Sequence, residues 1–177
     1  METEMANDTA DATLTRPDGQ PLREADNVDE MYLTFALGAE EYGVNISGVT
    51  EIVGMQRIMS IPDVPSYIKG VINLRGKVIP LMDVRLRFGM PERAYDERTV
   101  IIVMDVGEAP VGLIVDGVSE VLEIPPSQVD RHGQFGRSST RSVIAGIGRI
   151  GDRVAVLLDT SVLVADGDIN LPADIAA

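Results

Sequence analysis

The sequence predicts an all-β protein built from two copies of one module, with one or two short helices. Three pairs of apolar runs are each joined by a short segment that contains glycine, which is typical of β-hairpins. One pattern of glycine, β-branched and acidic residues also occurs twice along the 177-residue chain. Hydrophobic residues make up 45% of the chain, only 4% is aromatic and Trp is absent, so we expect an aliphatic core that favours strands.

The first ordered element is predicted to begin near Met31. Residues 1–30 are acidic and show no apolar periodicity, which is typical of a disordered lead. From Met31 onward, Leu33, Phe35 and Leu37 alternate with less apolar residues, and this alternation predicts a half-buried strand.

Hairpins and short helices account for most of the remaining chain. The three hairpins are predicted to join residues 68–74 to 77–82, residues 99–106 to 111–115, and residues 143–150 to 153–158. The first turn is Arg75-Gly76, with glycine where a positive φ is needed. Short helices are expected after Asp83 and Asp159, whose carboxylates suit an N-cap, and one helical turn is expected near residues 65–69.

An internal repeat underlies this order of elements. Residues 42–53 align with residues 111–122 at a shift of 69, and residues 70–83 align with residues 146–159 at a shift of 76. The seven extra residues of the second copy are placed in the polar, glycine-bearing loop at 133–142. Each copy has about 60 residues and room for about five strands, so we expect each to close into a barrel and to pack on the other, leaving a groove between them.

These patterns give a domain organisation. Residues 1–30 are predicted to be an acidic extension, residues 31–164 the folded domain, and residues 165–177 an acidic tail. Within the domain the two modules are predicted at roughly 31–90 and 98–164, with a possible exchange of a strand.

The repeat also separates structural positions from functional ones. Residues present in both copies should serve the shared fold: Asp83 and Asp159 are interpreted as helix caps and the paired glycines as turn positions. Lys69, Asn73 and Arg75 differ from their counterparts in the second copy, so function is expected to concentrate there.

Charge and composition exclude several classes of function. The formal net charge is −13, but residues 1–30 hold nine acidic and two basic residues and residues 165–177 hold three acidic residues and none that is basic. Acidic tails around a nearly balanced body argue against nucleic-acid binding. Cys is absent, the N-terminus lacks the basic and apolar regions of a secretory signal, and the apolar runs are too short to span a bilayer, so we expect a cytosolic protein that does not insert into the membrane.

No catalytic constellation is apparent. His132 is the only histidine, and Ser138, Ser139 and Ser142 lack both a nucleophile elbow and a nearby base. Glu51 and Asp83 both recur in the other copy, which favours structural roles over an acid–base pair. We therefore expect neither an enzyme, such as one built on a small β-barrel, nor a cofactor or a metal.

Two features leave alternatives open. Ile46, Val49 and Ile52 are spaced three apart and are either barrel core or an apolar surface for a partner's helices. Residues 55–90 have more basic than acidic side chains, and this positive segment is either a site for an acidic protein or a solvated face. The basic residues are Arg57, Lys69, Arg75, Lys77, Arg85 and Arg87, and the acidic residues are Asp63 and Asp83.

Several segments of the chain match one known family. The string Ile-Lys-Gly-Val-Ile-Asn-Leu-Arg-Gly at 68–76 is the most specific of them, and it is supported by residues 41–44, 49–52 and 115–121. Together these segments resemble the CheW family of chemotaxis coupling proteins over about residues 31–164.

The resemblance implies two intertwined five-stranded SH3-like β-barrels with a shared apolar seam. It implies a non-catalytic scaffold that couples the cytoplasmic tip of methyl-accepting chemoreceptors to the regulatory domain of a CheA-type histidine kinase. Such a protein is expected in the cytoplasm, recruited to receptor arrays at the inner face of the membrane, with weak or no self-association alone. A coupling protein of a non-flagellar chemosensory array, serving twitching motility or gene regulation, is the alternative function.

The resemblance also implies site residues. The groove that receives the receptor's helical hairpin would be lined by Ile46, Val49 and Ile52, together with Val115. Arg75 would pair with Glu51 and tune control of the kinase. The remaining residues expected in that control region are Lys69, Gly70 and Asn73. The role of the acidic extension at 1–30 stays open.

Overall fold

The computed structural model describes residues 28–131 and 143–164. Nearly all of the predicted acidic extension, the predicted loop at 133–142 and the predicted tail at 165–177 lie outside these ranges. The described residues form eleven strands, two short α-helices and three 3-10 turns. The strands are β1 (Met31–Leu37), β2 (Glu40–Asn45), β3 (Val49–Gly54), β4 (Ile68–Leu74), β5 (Lys77–Asp83), β6 (Val100–Val106), β7 (Ala109–Val115), β8 (Gly117–Glu123), β9 (Val129–Asp130), β10 (Ile144–Ile150) and β11 (Arg153–Leu158). The helices are α1 (Val84–Arg87) and α2 (Thr160–Leu163), and the 3-10 turns are Val28–Glu30, Ile46–Gly48 and Pro126–Gln128.

The strands form two sheets whose architecture repeats. One sheet has the order β3-β6-β7-β5-β4 and the other has the order β8-β1-β2-β11-β10-β9. Strands β1, β2 and β3 match β6, β7 and β8 at the shift of 69, and β4, β5 and α1 match β10, β11 and α2 at the shift of 76. Each sheet therefore combines strands from both halves of the chain. The predicted all-β class and the intertwined repeat are confirmed, whereas the predicted module boundaries stay predictions.

The second sheet has six strands rather than the five expected. Its extra strand is β9, which pairs with Ile147 and Gly148 of β10. The corresponding contact in the first sheet is a single bridge between Met59 and Val71, which is too short to count as a strand.

All three predicted hairpins form, as β4–β5, β6–β7 and β10–β11. At the first turn Gly76 has φ 87°, as expected, and Arg75 also takes a positive φ of 53°. Gly151 holds the position of Arg75 in the second copy, with φ 59°. The first copy thus carries a long side chain at a backbone conformation that favours glycine.

The predicted apolar seam lies between the two sheets. The largest core cluster draws on both of them and includes Leu33, Phe35, Met82, Leu113 and Leu158. Two smaller clusters fill the other face of each sheet, one around Ile79 and Ile101 and the other around Leu122 and Leu157. Burial of these side chains, at roughly 1.5–3 kcal/mol each, stabilises both the modules and the seam.

The interpretation of the paired glycines as turn positions is wrong for several of them. Gly43 and Gly112 lie within strands, where each faces a leucine across a parallel pairing, Leu157 and Leu81 respectively. A Cβ on Gly112 would lie 2.5 Å from Leu81 Cδ2, so glycine is needed there for close approach rather than for a turn.

The predicted helix caps are confirmed. The Asp83 side chain accepts a hydrogen bond from the backbone N–H of Leu86, and the Asp159 side chain accepts from those of Ser161 and Val162. The helical turn expected near residues 65–69 is instead a single hydrogen-bonded turn that leads into β4, because the strand begins at Ile68.

Candidate functional site

Strand β3 presents its side chains to two different surroundings. In a regular strand Val49 and Ile52 would point to opposite faces, because they are three residues apart. The pairing of β3 with β6 shifts by one residue between Val49 and Glu51, which is a β-bulge at Thr50. The bulge returns Val49 and Ile52 to the same side, where both pack against the seam cluster.

The predicted groove residues differ in their accessibility. Ile46 and Val115 are buried, with 6% and 1% of their surface exposed, and both belong to the seam cluster. Val49 and Ile52 are half-buried against that cluster. The accessible part of the stripe is therefore Val49 and Ile52, while Ile46 and Val115 lie beneath it in the core.

Glu51 and Arg75 form an ion pair between β3 and the turn of the β4–β5 hairpin. The side chain of Arg75 is 69% exposed and that of Glu51 is 23% exposed. Asn73 supports this turn, since its Oδ1 accepts a hydrogen bond from the backbone N–H of Gly76 at 2.9 Å. The three residues Glu51, Asn73 and Arg75, predicted from sequence, are thus brought together at one end of the first sheet.

Lys69 and Gly70 lie elsewhere on β4 and have other contacts. Lys69 Nζ is 3.0 Å from Glu92 Oε2, in the connection between α1 and β6. Gly70 has φ 141°, and a Cβ on it would lie 2.1 Å from the carbonyl oxygen of Met59. The positive φ and the nearby Met59 carbonyl oxygen therefore require glycine at position 70. Lys69 lies apart from the Glu51–Arg75 pair.

The second copy holds a larger ionic cluster at the corresponding place. Glu120 matches Glu51, and its Oε2 lies 2.7 Å from Arg153 Nη1. Arg153 Nη2 also donates to both carboxylate oxygens of Glu41, at 3.0 and 2.9 Å. Hydrogen bonds to Glu120 and then to Glu41 raise the pKa of the Arg153 guanidinium.

Sequence reasoning missed a polar centre around Asp116. Its carboxylate accepts hydrogen bonds from Arg85 Nε at 3.0 Å, Arg93 Nη1 at 2.9 Å and the backbone N–H of Gly38 at 2.7 Å. Burial opposes ionisation, but the hydrogen bonds from Arg85 and Gly38 and the nearby guanidinium charges hold the pKa of Asp116 below its ordinary value. Asp116 aligns with Ser47 at the shift of 69, so a comparison of unmatched positions could have found it.

The cations of residues 55–90 do not form an open positive patch. Lys69, Arg75 and Arg85 have carboxylate partners. Arg87 donates to the Leu163 carbonyl and lies over the Tyr67 ring. Of these six cations, all of which the structure describes, only Arg57 and Lys77 have no hydrogen-bond or ion-pair partner among the described residues.

Among the residues that the structure describes, no three His, Cys, Asp or Glu side chains are placed to hold a metal ion. His132, Ser138, Ser139 and Ser142 lie outside the described ranges. No helix within those ranges is long and apolar enough to span a membrane.

Comparisons with known proteins found a family model, named relatives and a solved structure that are similar to this chain. A model of the CheW-like domain matches residues 31–168. The chain is 37% identical over 151 residues to the chemotaxis protein CheW of Klebsiella aerogenes, covering 85% of this chain and 91% of that protein. It is 40% identical over 122 residues to the chemotaxis protein CheW of Rhizobium meliloti, covering 67% and 79%. The crystal structure of the scaffolding protein TtCheW from Thermoanaerobacter tengcongensis is similar with a TM-score of 0.71 and 31% identity, over 78% of this chain and 95% of that chain.

Proposed function

Because this chain belongs to the CheW-like family and is a non-catalytic coupling protein of chemotaxis, we propose that it joins the cytoplasmic tip of a chemoreceptor to the regulatory domain of a CheA-type histidine kinase. The observation that carries the proposal is the arrangement of β3, which offers an apolar surface at Val49 and Ile52 on one side and the Glu51–Arg75 pair on the other. One strand thereby serves two kinds of contact. Residues 31–164 form the coupling domain, and the acidic segments flank it.

The receptor contact lies at Val49 and Ile52. These half-buried side chains are continuous with the seam core through Ile46 and Val115, so a helix docked there extends an existing apolar cluster. A receptor tip is a helical hairpin, and an amphipathic helix buries its apolar face in such a groove. The contact is small, so its affinity is modest and is reinforced by avidity in an array at the inner face of the membrane.

Control of the kinase lies at the Glu51–Arg75 pair. An exposed guanidinium suits recognition of a partner carboxylate. The hydrogen bond accepted by Asn73 stabilises the turn from which Arg75 projects. Glycine at position 70 leaves room for the Met59 carbonyl oxygen beside the strand that contains Lys69. The alternative of a coupling protein for a non-flagellar array is not favoured, since the relatives reported above are named as chemotaxis proteins.

Val49→Asp tests the receptor contact. A charge at this half-buried position should abolish co-sedimentation with a receptor signalling fragment, while a CheA-type kinase still binds and the circular dichroism spectrum stays native. Val118→Asp is the matched control, because Val118 holds the position of Val49 in the second copy and is likewise half-buried against the seam cluster; it should keep receptor binding. Retained receptor binding by Val49→Asp would contradict the proposed groove, and failure of the unaltered protein to bind either partner would contradict the proposed function.

A further inference from the structure

The two sheets have a charged site at equivalent positions, but the charged residues that form it differ between them. Glu51 on β3 and Glu120 on β8 match at the shift of 69, and both follow a β-bulge at the same point of the strand. Lys77 and Arg153 match at the shift of 76, and each is the first residue of its strand, paired with the last residue of the preceding strand. Apart from β9 the strand order is the same in both sheets, so the positions of Lys77 and Glu51 in the first sheet correspond to those of Arg153 and Glu120 in the second.

In the second copy this position is complete within the chain. Arg153 binds two carboxylates, Glu120 and Glu41, which lie on β8 and β2. The residue that matches Arg75 is Gly151, so Arg153 has no competing cation at the hairpin turn. One cation is thereby satisfied by two carboxylates.

In the first copy two cations stand at the corresponding position. Arg75 and Lys77 both line a surface cleft of about 320 Å³, together with Glu51. Arg75 pairs with Glu51, and Lys77 makes no ion pair with any described residue. The residue that matches Glu41 is Pro110, which lines the same cleft and carries no charge. The carboxylate that completes the arrangement in the second copy therefore has no counterpart on β7.

Asp105 is the other acidic residue of the cleft. It lies directly across from Pro110 on β6, where the second copy has Ala36 opposite Glu41. Asp105 makes no ion pair with Arg75 or Lys77, since the described ion pairs within 4.0 Å leave it out. With Glu51 it gives the cleft two carboxylates against two cations, but it lies on β6 and not at the β7 position that matches Glu41.

From this comparison we propose that the cleft binds a side-chain carboxylate of a protein partner, held between Lys77 and Arg75 at the place that Glu41 occupies in the second copy. A glutamate or aspartate on a partner surface restores the cation-to-carboxylate arrangement that Arg153 already shows. Arg75 supplies the planar, exposed donor group and Lys77 a second charge that is free to bind. The inference deepens the proposed function, because the partner is either the chemoreceptor tip or the kinase.

The first test supplies the missing carboxylate within the chain and needs no partner. Asp105→Asn combined with Pro110→Glu reproduces the neutral residue and the glutamate of the second copy, and Asp105→Asn combined with Pro110→Gln is the matched control. We expect the Glu variant to melt about 2 °C higher than the Gln variant in low salt. The difference should vanish in high salt and on adding Lys77→Met. Equal melting temperatures in low salt would overturn the site.

The second test measures partner binding by the same two double variants. The built-in glutamate should weaken binding of the partner that donates the carboxylate by at least about fivefold relative to the Gln variant. Receptor fragment and kinase are titrated separately, and the one whose binding falls is identified as the source. Equal binding of both partners by the two variants would overturn the proposal even if the first test succeeds. Failure of the unaltered protein to bind either partner would instead count against the proposed function alone.

Discussion

Substitution of Gly70 is the clearest test of whether a residue of the family motif has a structural or a functional role. Gly70 lies in the most specific sequence motif of the chain, beside Lys69, and its backbone has φ 141°. A Cβ there would lie 2.1 Å from the Met59 carbonyl oxygen and 2.9 Å from Ile58 Cγ2. The oxygen belongs to the bridge with Val71, so it cannot move without breaking that pairing.

The cost of Gly70→Ala follows from two terms. Forcing a non-glycine residue into a sparsely populated backbone region costs about 1–3 kcal/mol. Overpacking against neighbouring atoms adds about 1–3 kcal/mol. We therefore expect a loss of about 2–6 kcal/mol in the free energy of unfolding, which lowers the melting temperature by about 4 °C or more for a chain of this size.

The assay is urea and thermal unfolding followed by circular dichroism. Gly54→Ala is the control, because Gly54 also lies in a strand, has an ordinary φ, and a Cβ on it would meet nothing within 4 Å. The control should stay within about 2 °C of the unaltered protein. A melting temperature for Gly70→Ala equally close to that of the unaltered protein would refute the reasoning and would make Gly70 a contact residue instead.

Two further predictions concern charged residues. Asp116→Asn should cost about 2 kcal/mol at pH 7, because Arg85 and the Gly38 N–H lose an ionised acceptor. The folded-state pKa of Asp116 is lowered, so its contribution to the free energy of unfolding is complete above the unfolded-state pKa of about 4 and is lost as the pH falls through the folded-state pKa. Denaturant unfolding of the variant and the unaltered protein from pH 7 to pH 2.5 should therefore show their difference in stability shrinking. A difference that stays constant with pH would contradict this. Arg75→Gly should change stability by no more than about 1 kcal/mol, because relief of the positive φ offsets the exposed ion pair; thermal melts check this, and a loss above about 2 kcal/mol would make the pair a structural element.

Local patterns predicted the architecture well. The hairpins depend on turn residues that act over a few positions, and the caps at Asp83 and Asp159 depend on contacts within three residues. The repeat supplied the long-range part, because two copies of one module must fold alike. The seam followed from it, since a module of about 60 residues buries too little surface alone.

Contacts that depend on strand packing could not be predicted in the same way. The bulge at Thr50 decides that Val49 and Ile52 share a side, and nothing in their spacing shows whether it forms. The Asp116 centre joins residues that lie 23, 31 and 78 positions away in sequence. The glycines of β2 and β7 resemble turn residues until the parallel pairings bring leucines against them.

The candidate site was predictable in part. The repeat singles out Asn73 and Arg75, the family resemblance adds Glu51, and the structure brings the three together. The sequence shows Lys77 only as one of several cations, because its lack of an ion-pair partner is visible only in the folded structure, where both copies can be compared. Ile46 and Val115 were placed in the groove, and their burial appears only once both sheets pack on the seam.

The central claim is that this chain couples a chemoreceptor to a histidine kinase, and the autophosphorylation rate of the kinase in receptor-containing membranes tests it most directly. We expect a large rise in that rate only when receptor, kinase and this protein are all present, and a loss of the rise with Val49→Asp. A rate that does not depend on adding this protein would contradict the account.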